Sequence, residues 1–456
     1  MGGVVNEQSN ISNAGRSGDL LYHAPSLGME HPVKGVGESV IDSESNWKLL
    51  GLWLIVVLIV SCPAFGAAVI NTHMATALNL DRAVLGAGFG LASATMGGTA
   101  PFLAIAFRRF GIRNVMLAGA AMAAISAVLM CTVVTTGPAF IICYGLLMGL
   151  GVGAAGILPT QTIVSIWFRG RRALAVSVVM SAGEFAGIVM PPFFAWLITS
   201  TGTWRSGWWV ALGCIVIGAC LVYWIVPKNL SMNKKELDVG PGESADDNRT
   251  SRVYKTPVPW VVADAMRTRQ FLIIVLFGIA NSLGWIFFLA HGVEHMQDLA
   301  YGSTIAASAI SIIVASSFFG TMCAGLLGDK VPPHILATLA LLIVSTGLFL
   351  AMSPSGLTAM VLFAVIFGFG YGAGQVCGIT MMMNYFGAKP FPALLGISIA
   401  VSTITSAIWS TAAGAIYDQL HSYTPSFIFV VGLTSCVALL QLFASPRSIR
   451  RERVQQ

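Results

Sequence analysis

Twelve predominantly apolar stretches, each of roughly 20 residues or more, dominate the chain and are separated by short polar turns. A stretch of that length spans the hydrocarbon core of a bilayer as an α-helix. Only 10% of the 456 residues are charged, against about a quarter in a soluble domain, so most of the chain cannot face water. Because the stretches lack long alternating apolar and polar patterns, we predict helices and not a β-barrel. The chain is therefore predicted to be an all-α integral membrane protein that lies in the lipid bilayer.

The predicted helices divide the chain into two sets of six. They cover residues 48–71, 84–107, 114–135, 138–166, 172–200, 206–226, 270–293, 303–327, 334–353, 357–384, 391–417 and 424–444. We expect a disordered cytoplasmic tail over 1–46, an N-terminal six-helix bundle over 47–226, a cytoplasmic linker over 227–268, a C-terminal six-helix bundle over 269–445 and a basic cytoplasmic tail over 446–456.

The basic residues predict the orientation of these helices. When both termini are placed in the cytoplasm, all of the 25 Lys and Arg residues except Arg82 and Arg205 fall in the tails, the linker or the turns of that side. This asymmetry follows the positive-inside rule and supports an even number of spans. The net charge of +6 is therefore attributed to topology, and we expect no nucleic-acid partner.

An internal repeat relates the two sets of helices. The run Gly149-Leu-Gly-Val-Gly153 in the fourth helix recurs as Gly370-Tyr-Gly-Ala-Gly374 in the tenth. The same offset carries Arg108 onto Asp329, and both follow the second helix of their half. Two pseudo-symmetric six-helix bundles are typical of transporters whose substrate site lies between the halves, near the middle of the membrane.

One of these turns connects the chain to a known family. The segment from Gly325 to Asp329-Lys330 matches the G-x-x-x-D-[RK] turn of the major facilitator superfamily, and the chain resembles that superfamily over about residues 48–445. The first-half copy has Arg108 in place of the Asp. Because this turn helps to gate the cytoplasmic side in that family, the resemblance implies the following gating residues: Arg109, Gly111, Arg113, Gly325, Asp329 and Lys330.

Within the superfamily, the segment Trp167–Ala175 (WFRGRRALA) resembles the WF-x-[KR]-[KR]-R-x-x-A segment of monocarboxylate and oxalate/formate porters. The entry to the second predicted helix, Leu80–Ala83, also resembles theirs. The resemblance implies a secondary transporter of the plasma membrane, or of the inner membrane of a bacterium. It also implies a small organic anion carried with a proton by alternating access, and a monomeric functional unit without a cofactor. One departure is that residues 303–327 and 391–417 contain no Lys or Arg, so a basic side chain for the substrate carboxylate cannot be transferred from these porters.

Glu184 is the candidate for proton coupling. It lies in the middle of the fifth predicted helix, where a carboxyl group is expensive to bury and is therefore a functional hypothesis. Such a carboxyl group can pick up and release a proton. The alternative is a protonated glutamic acid that only bonds a neighbouring helix, with Gly183 and Gly187 permitting close packing.

Two pairs of residues are the candidates for substrate binding. Asn281 and Trp285 lie one turn apart on the seventh predicted helix, and Tyr371 and Gln375 do so on the tenth. Amides donate to a carboxylate or hydroxyl at a smaller desolvation penalty than a charge, and the aromatic rings supply an apolar wall. The alternative for the amides is interhelical hydrogen bonding. Tyr144 in the fourth helix is a weaker candidate.

A second motif, His291–His295, reads H-x-x-E-H, the inverted zinc-protease pattern. It ends the seventh predicted helix, and a solvated helix end is favoured over a proton or substrate relay. A zinc site would need a third ligand, so we expect no metal and no enzyme activity. Asn71 and His73, which end the first predicted helix, are likewise expected at a solvated end.

Two other functions stay open at this point. The first is a proton-coupled exporter of a hydrophobic metabolite or drug. It is favoured by the resemblance of Gly183, Gly187 and Pro191-Pro192 to the hinge motif of superfamily antiporters. The second is a membrane receptor that binds its ligand without transporting it.

Overall fold

The computed structural model describes residues 37–168, 171–228, 230, 253–256 and 258–445. This part of the chain contains twelve helices that are long and apolar enough to cross a membrane, and no β-strand. They are α1 Asn46–Leu78, α2 Arg82–Phe110, α3 Ile112–Thr132, α4 Gly137–Trp167, α5 Arg172–Thr201, α6 Arg205–Ile225, α7 Arg269–Asp298, α8 Ser303–Gly328, α9 Pro333–Ala351, α10 Gly356–Phe386, α11 Phe391–Leu420 and α12 Thr424–Gln441. The prediction of an all-α membrane fold is confirmed. The predictions for residues 1–36, most of the linker and the basic tail lie outside the described residues.

Several helices are longer than the apolar stretches that predicted them. Helical geometry begins at Gly37, inside the stretch predicted to be a disordered tail, and α1 continues past residue 71 to Leu78. Asn79 then ends α1 in the left-handed conformation, with φ of 49°. Helix α7 also continues past residue 293 to Asp298. The difference has a simple cause, because hydropathy marks where a helix leaves the hydrocarbon, whereas a cap or turn residue marks where it stops.

The two glycine runs both lie at close contacts between helices. In α4, Gly149 lies against Ala92 of α2, and Gly151 lies against Ala123 of α3. In α10, Gly370 lies against Ala340 of α9, and Gly372 lies against Ser317 of α8. The close approach requires the absence of a Cβ atom, because a side chain at these positions would overlap the neighbouring backbone. Both runs therefore permit close helix packing, although the residues matched by the offset, Gly149 and Gly370, contact different neighbours.

All twelve helices belong to one compact unit, Ser45–Gln456. Within it, the two halves meet along α5 with α8 and along α2 with α11. Gly325 of α8 lies against Ser177 of α5, and Gly396 of α11 lies against Ala100 of α2. These contacts lie in the parts of the helices that lead to the arginine-rich turns, so the halves are packed together on that side.

Candidate functional site

The Glu184 carboxylate lies between the two halves of the molecule. Its Oε1 atom accepts hydrogen bonds from Thr321 Oγ1 at 2.9 Å and from Ser317 Oγ at 3.2 Å, both on α8. These two partners are buried, with at most 2% of their surface exposed. The Oε2 atom is also buried, and it has no hydrogen-bond partner among the described residues. Glu184 of the N-terminal half is therefore bonded to a helix of the C-terminal half and does not face lipid.

Four of the five predicted substrate-binding residues form one group on α7 and α10. The rings of Trp285 and Tyr371 stack, with centroids 5.1 Å apart and an angle of 20° between the planes. Gln375 Nε2 donates to the Tyr371 hydroxyl at 2.7 Å. Asn281 lies against Gly374, and its Nδ2 atom is 3.5 Å from the Tyr371 carbonyl oxygen. The group combines an aromatic surface with two amides, as the spacing predicted.

A single serine joins this group to the carboxylate. Ser317, which donates to Glu184, packs against Gly372 on α10, next to Tyr371. The carboxylate and the aromatic and amide group therefore form one continuous set of side chains across α5, α8, α10 and α7.

Two acceptors in this set have no donor among the described residues, namely Glu184 Oε2 and Asn281 Oδ1. Buried polar atoms in folded proteins nearly always have a hydrogen-bond partner. A donor on a bound molecule would satisfy such atoms, and a protonated Glu184 could itself donate to such a molecule. The arrangement is thus suited to exchanging a proton and holding a small polar ligand.

The structure does not bring Tyr144 to this set. Its ring lies in the N-terminal half, between Phe140 at 5.5 Å, Phe89 at 5.1 Å and Trp208 at 5.8 Å between centroids. Only 5% of its surface is exposed. Tyr144 is therefore a member of an aromatic core, and we assign it no contact with substrate.

Sequence reasoning missed Ser317 and Thr321, the partners of Glu184. They are one turn apart, so they lie on one face of α8, and this spacing was a usable signal. The sequence could not tell which helix faces Glu184, however, and small hydroxyl residues are common in transmembrane helices.

Asp329 holds the two halves together at the arginine-rich side. Its Oδ1 atom accepts from the backbone N–H of Ala173 at 3.0 Å, and its Oδ2 atom accepts from that of Leu174 at 3.2 Å. These N–H groups belong to the first turn of α5, which has no carbonyl partner for them. A carboxylate of the C-terminal half therefore caps a helix of the N-terminal half, where the helix dipole also favours a negative charge.

Burial raises the pKa of Asp329 above its ordinary value. The two N–H donors and the charges of Lys255 and Arg171 oppose this effect. A second contact reinforces the same side, because the Arg172 guanidinium donates to Asn384 Oδ1 at 3.1 Å. Both contacts cross from one half to the other, so they must break if the halves separate on this side.

The first-half copy of the gating turn is arranged differently. The Arg109 guanidinium carbon lies 5.4 Å above the Phe110 ring, and that of Arg113 lies 4.1 Å above the Tyr223 ring. Gly111, with φ of 80°, forms the turn between α2 and α3. Lys330 is exposed. Among the predicted gating residues, Gly325 and Asp329 lie at the contact between the halves, and the basic ones lie elsewhere.

The two histidines of the H-x-x-E-H motif bond different helices. His291 Nε2 lies 2.9 Å from the Ser410 carbonyl oxygen on α11, whereas His295 Nε2 lies 2.9 Å from the Ala351 carbonyl oxygen on α9. The described residues contain no group of three or more His, Cys, Asp or Glu that could hold a metal ion. The prediction of a solvated helix end is wrong for two residues. His295 is 5% exposed, and Asn71 is fully buried. Both lie inside helices that extend beyond their apolar stretches.

Comparisons with known proteins agree with this architecture. The family profile of the Major Facilitator Superfamily matches residues 53–334, which is more than half of the chain. Monocarboxylate transporter 13 of Bos taurus is 24% identical over 326 residues, covering 70% of each protein. Monocarboxylate transporter 2 of Homo sapiens is 23% identical over 337 residues, covering 71% of this chain and 69% of the human protein. The crystal structure of the transporter FucP in the outward conformation superposes with a TM-score of 0.67 at 13% identity, covering 87% of this chain and 98% of FucP.

Proposed function

The chain belongs to the major facilitator superfamily, and from that premise we propose that it carries a small organic monocarboxylate together with a proton by alternating access. The chain is a multi-pass membrane transporter and not an enzyme. The observation that carries the finer proposal is the hydrogen bonding of Glu184 to Ser317 and Thr321 across the two halves. Protonation of Glu184 changes the strength of its hydrogen bonds to Ser317 and Thr321. The same hydrogen bonds form or break when the two halves move relative to each other.

Electrostatic repulsion couples the proton to the substrate in this proposal. An ionised Glu184 and a substrate carboxylate about 6 Å apart would repel each other by about 3 kcal/mol at an effective dielectric constant of about 20. That energy corresponds to about a hundredfold loss of affinity. Protonation of Glu184 removes the repulsion, so the anion binds well only when the proton is bound.

The substrate is held by neutral groups in this proposal. Asn281 and Gln375 donate N–H groups to the carboxylate, and the Trp285 ring covers the apolar part of the acid. Helix α11, and the part of α8 that faces Glu184, carry no Lys or Arg. A site without a fixed cation depends more strongly on the proton than one in which a basic residue already balances the anion.

The side of the arginine-rich turns is proposed to be cytoplasmic, with both termini there, in the plasma membrane. The Asp329 cap of α5 closes this side, so a substrate reaches Glu184 from the opposite side of the membrane. Release to the cytoplasm requires the loss of the contacts of Asp329 and Arg172. The functional unit is proposed to be one chain.

The test is uptake of a labelled monocarboxylate into proteoliposomes with an inwardly directed proton gradient. We expect Glu184→Gln to abolish accumulation driven by the gradient, while exchange of labelled for unlabelled acid persists, because the neutral amide imitates the protonated carboxyl group. Glu294→Gln is the matched control, since Glu294 is exposed and its partner Tyr423 belongs to the same half.

Each other result has a defined meaning. Proton-driven accumulation that is unchanged in Glu184→Gln would refute the role of Glu184. Efflux of hydrophobic compounds without uptake of acids would favour the exporter, and saturable binding without flux would favour the receptor.

A further inference from the structure

A surface groove lies between α3 and α6, away from the contact between the two halves. Its volume is about 350 Å³, within the range of roughly 300–1,000 Å³ typical of small-molecule sites. Small side chains such as Ala121 of α3 and Ala219 of α6 form the depression, and Tyr223 and Trp224 stand at one end. Because both helices are long and apolar enough to cross a membrane, the groove faces the hydrocarbon of the bilayer.

The end of the groove at Tyr223 is positively charged. The Arg113 guanidinium carbon lies 4.1 Å above the Tyr223 ring, and that ring lines the groove. Arg113, Leu117 and Ala121 follow each other at intervals of four residues, so they lie on one face of α3. The backbone oxygen of Lys228, an exposed residue that follows α6, lies beside Gly111 in the turn between α2 and α3, so a second basic residue belongs to the same end of the groove.

We propose that this groove binds an anionic phospholipid, with its phosphate on Arg113 and one acyl chain between α3 and α6. The apolar part of the groove matches an acyl chain, and the cationic end matches a negatively charged headgroup at the membrane surface. An exposed Trp224 is not sufficient evidence for a lipid site, because exposed tryptophans are common at membrane interfaces. The assignment is supported by the combination of a groove of defined volume with a guanidinium group at its mouth. The proposal does not depend on the identity of the transported molecule.

Native mass spectrometry of the full-length protein tests the proposal. The protein in detergent is titrated with phosphatidylglycerol or with phosphatidylcholine that carries the same acyl chains. We expect tighter binding of phosphatidylglycerol, and we expect Arg113→Gln to weaken it by about fivefold, the value of one basic side chain near an anionic surface. Lys389→Gln removes an exposed charge from the arginine-rich side of the other half and is the matched control.

A second variant tests the acyl-chain part of the groove. Ala121→Phe fills the depression at an exposed position and should displace both lipids, whereas Ala121→Ser should retain them. Melting temperatures of both variants report whether the fold is intact. Equal binding of the two lipids, or no effect of Arg113→Gln, would overturn the proposal. Retention of a sterol or of a second polypeptide instead, lost in Ala121→Phe, would also overturn it.

Discussion

The Asp329 cap allows a quantitative prediction about the gate. In Asp329→Ala, the N–H groups of Ala173 and Leu174 lose both acceptors. Removal of a side-chain acceptor from a helix N-terminus costs about 0.5–2 kcal/mol, and Asp329 supplies that acceptor from another helix. The desolvation that raises the pKa of Asp329 offsets part of this cost. We expect a net loss of about 1.4 kcal/mol, which shifts the ratio of closed to open gate about tenfold towards open.

The populations can be measured by double electron–electron resonance. Spin labels on Arg109 and Lys389, both exposed and in different halves, report the separation of the halves after the native cysteines have been replaced. Asp298→Ala is the control, because Asp298 accepts from Tyr417 within the C-terminal half. Asp329→Asn keeps an acceptor for the helix and should retain most of the closed population. A distance distribution in Asp329→Ala identical to that of the wild type would show that the cap does not hold the gate.

Two further predictions concern protonation. Since burial in the closed gate raises the pKa of Asp329 above the value it has when exposed, protonation favours closure. The closed population should therefore be largest below the ordinary pKa of Asp, about 4, and should fall as the pH rises through the raised pKa of Asp329. Asp329→Asn should remove this pH dependence. A decrease of the closed population on acidification would contradict the prediction. At the coupling site, Thr321→Val removes one of the two donors to the Glu184 carboxylate, so the pH midpoint of proton-driven uptake should move up because the ionised form loses a hydrogen bond. Ser316→Ala is the control because Ser316 bonds Val365 within its own half, and an unchanged midpoint in Thr321→Val would refute the coupling network.

Much of the binding group was predictable because its parts are local. Residues four apart on a helix share a face, which placed Asn281 with Trp285 and Tyr371 with Gln375 before any packing was known. The rarity of a carboxyl group at membrane depth is what singled out Glu184 as a candidate, and its role in proton coupling stays a prediction. The solvated helix ends expected for Asn71 and His295 were wrong, because exposure was judged from depth along the helix, whereas it depends on which neighbouring helix a side chain faces.

Composition and periodicity alone determined that the chain is a membrane protein of twelve helices built from two related halves, because length, hydropathy and an internal repeat are properties of the linear chain. The tertiary structure alone decided that Ser317 and Thr321 face Glu184, and that Asp329 caps α5. The physical reason is that helices in lipid are apolar on most of their surface, so the sequence carries little information about which face is turned inward. Lateral packing between the halves, which depends on the fit of small residues across α5 and α8, settles that choice.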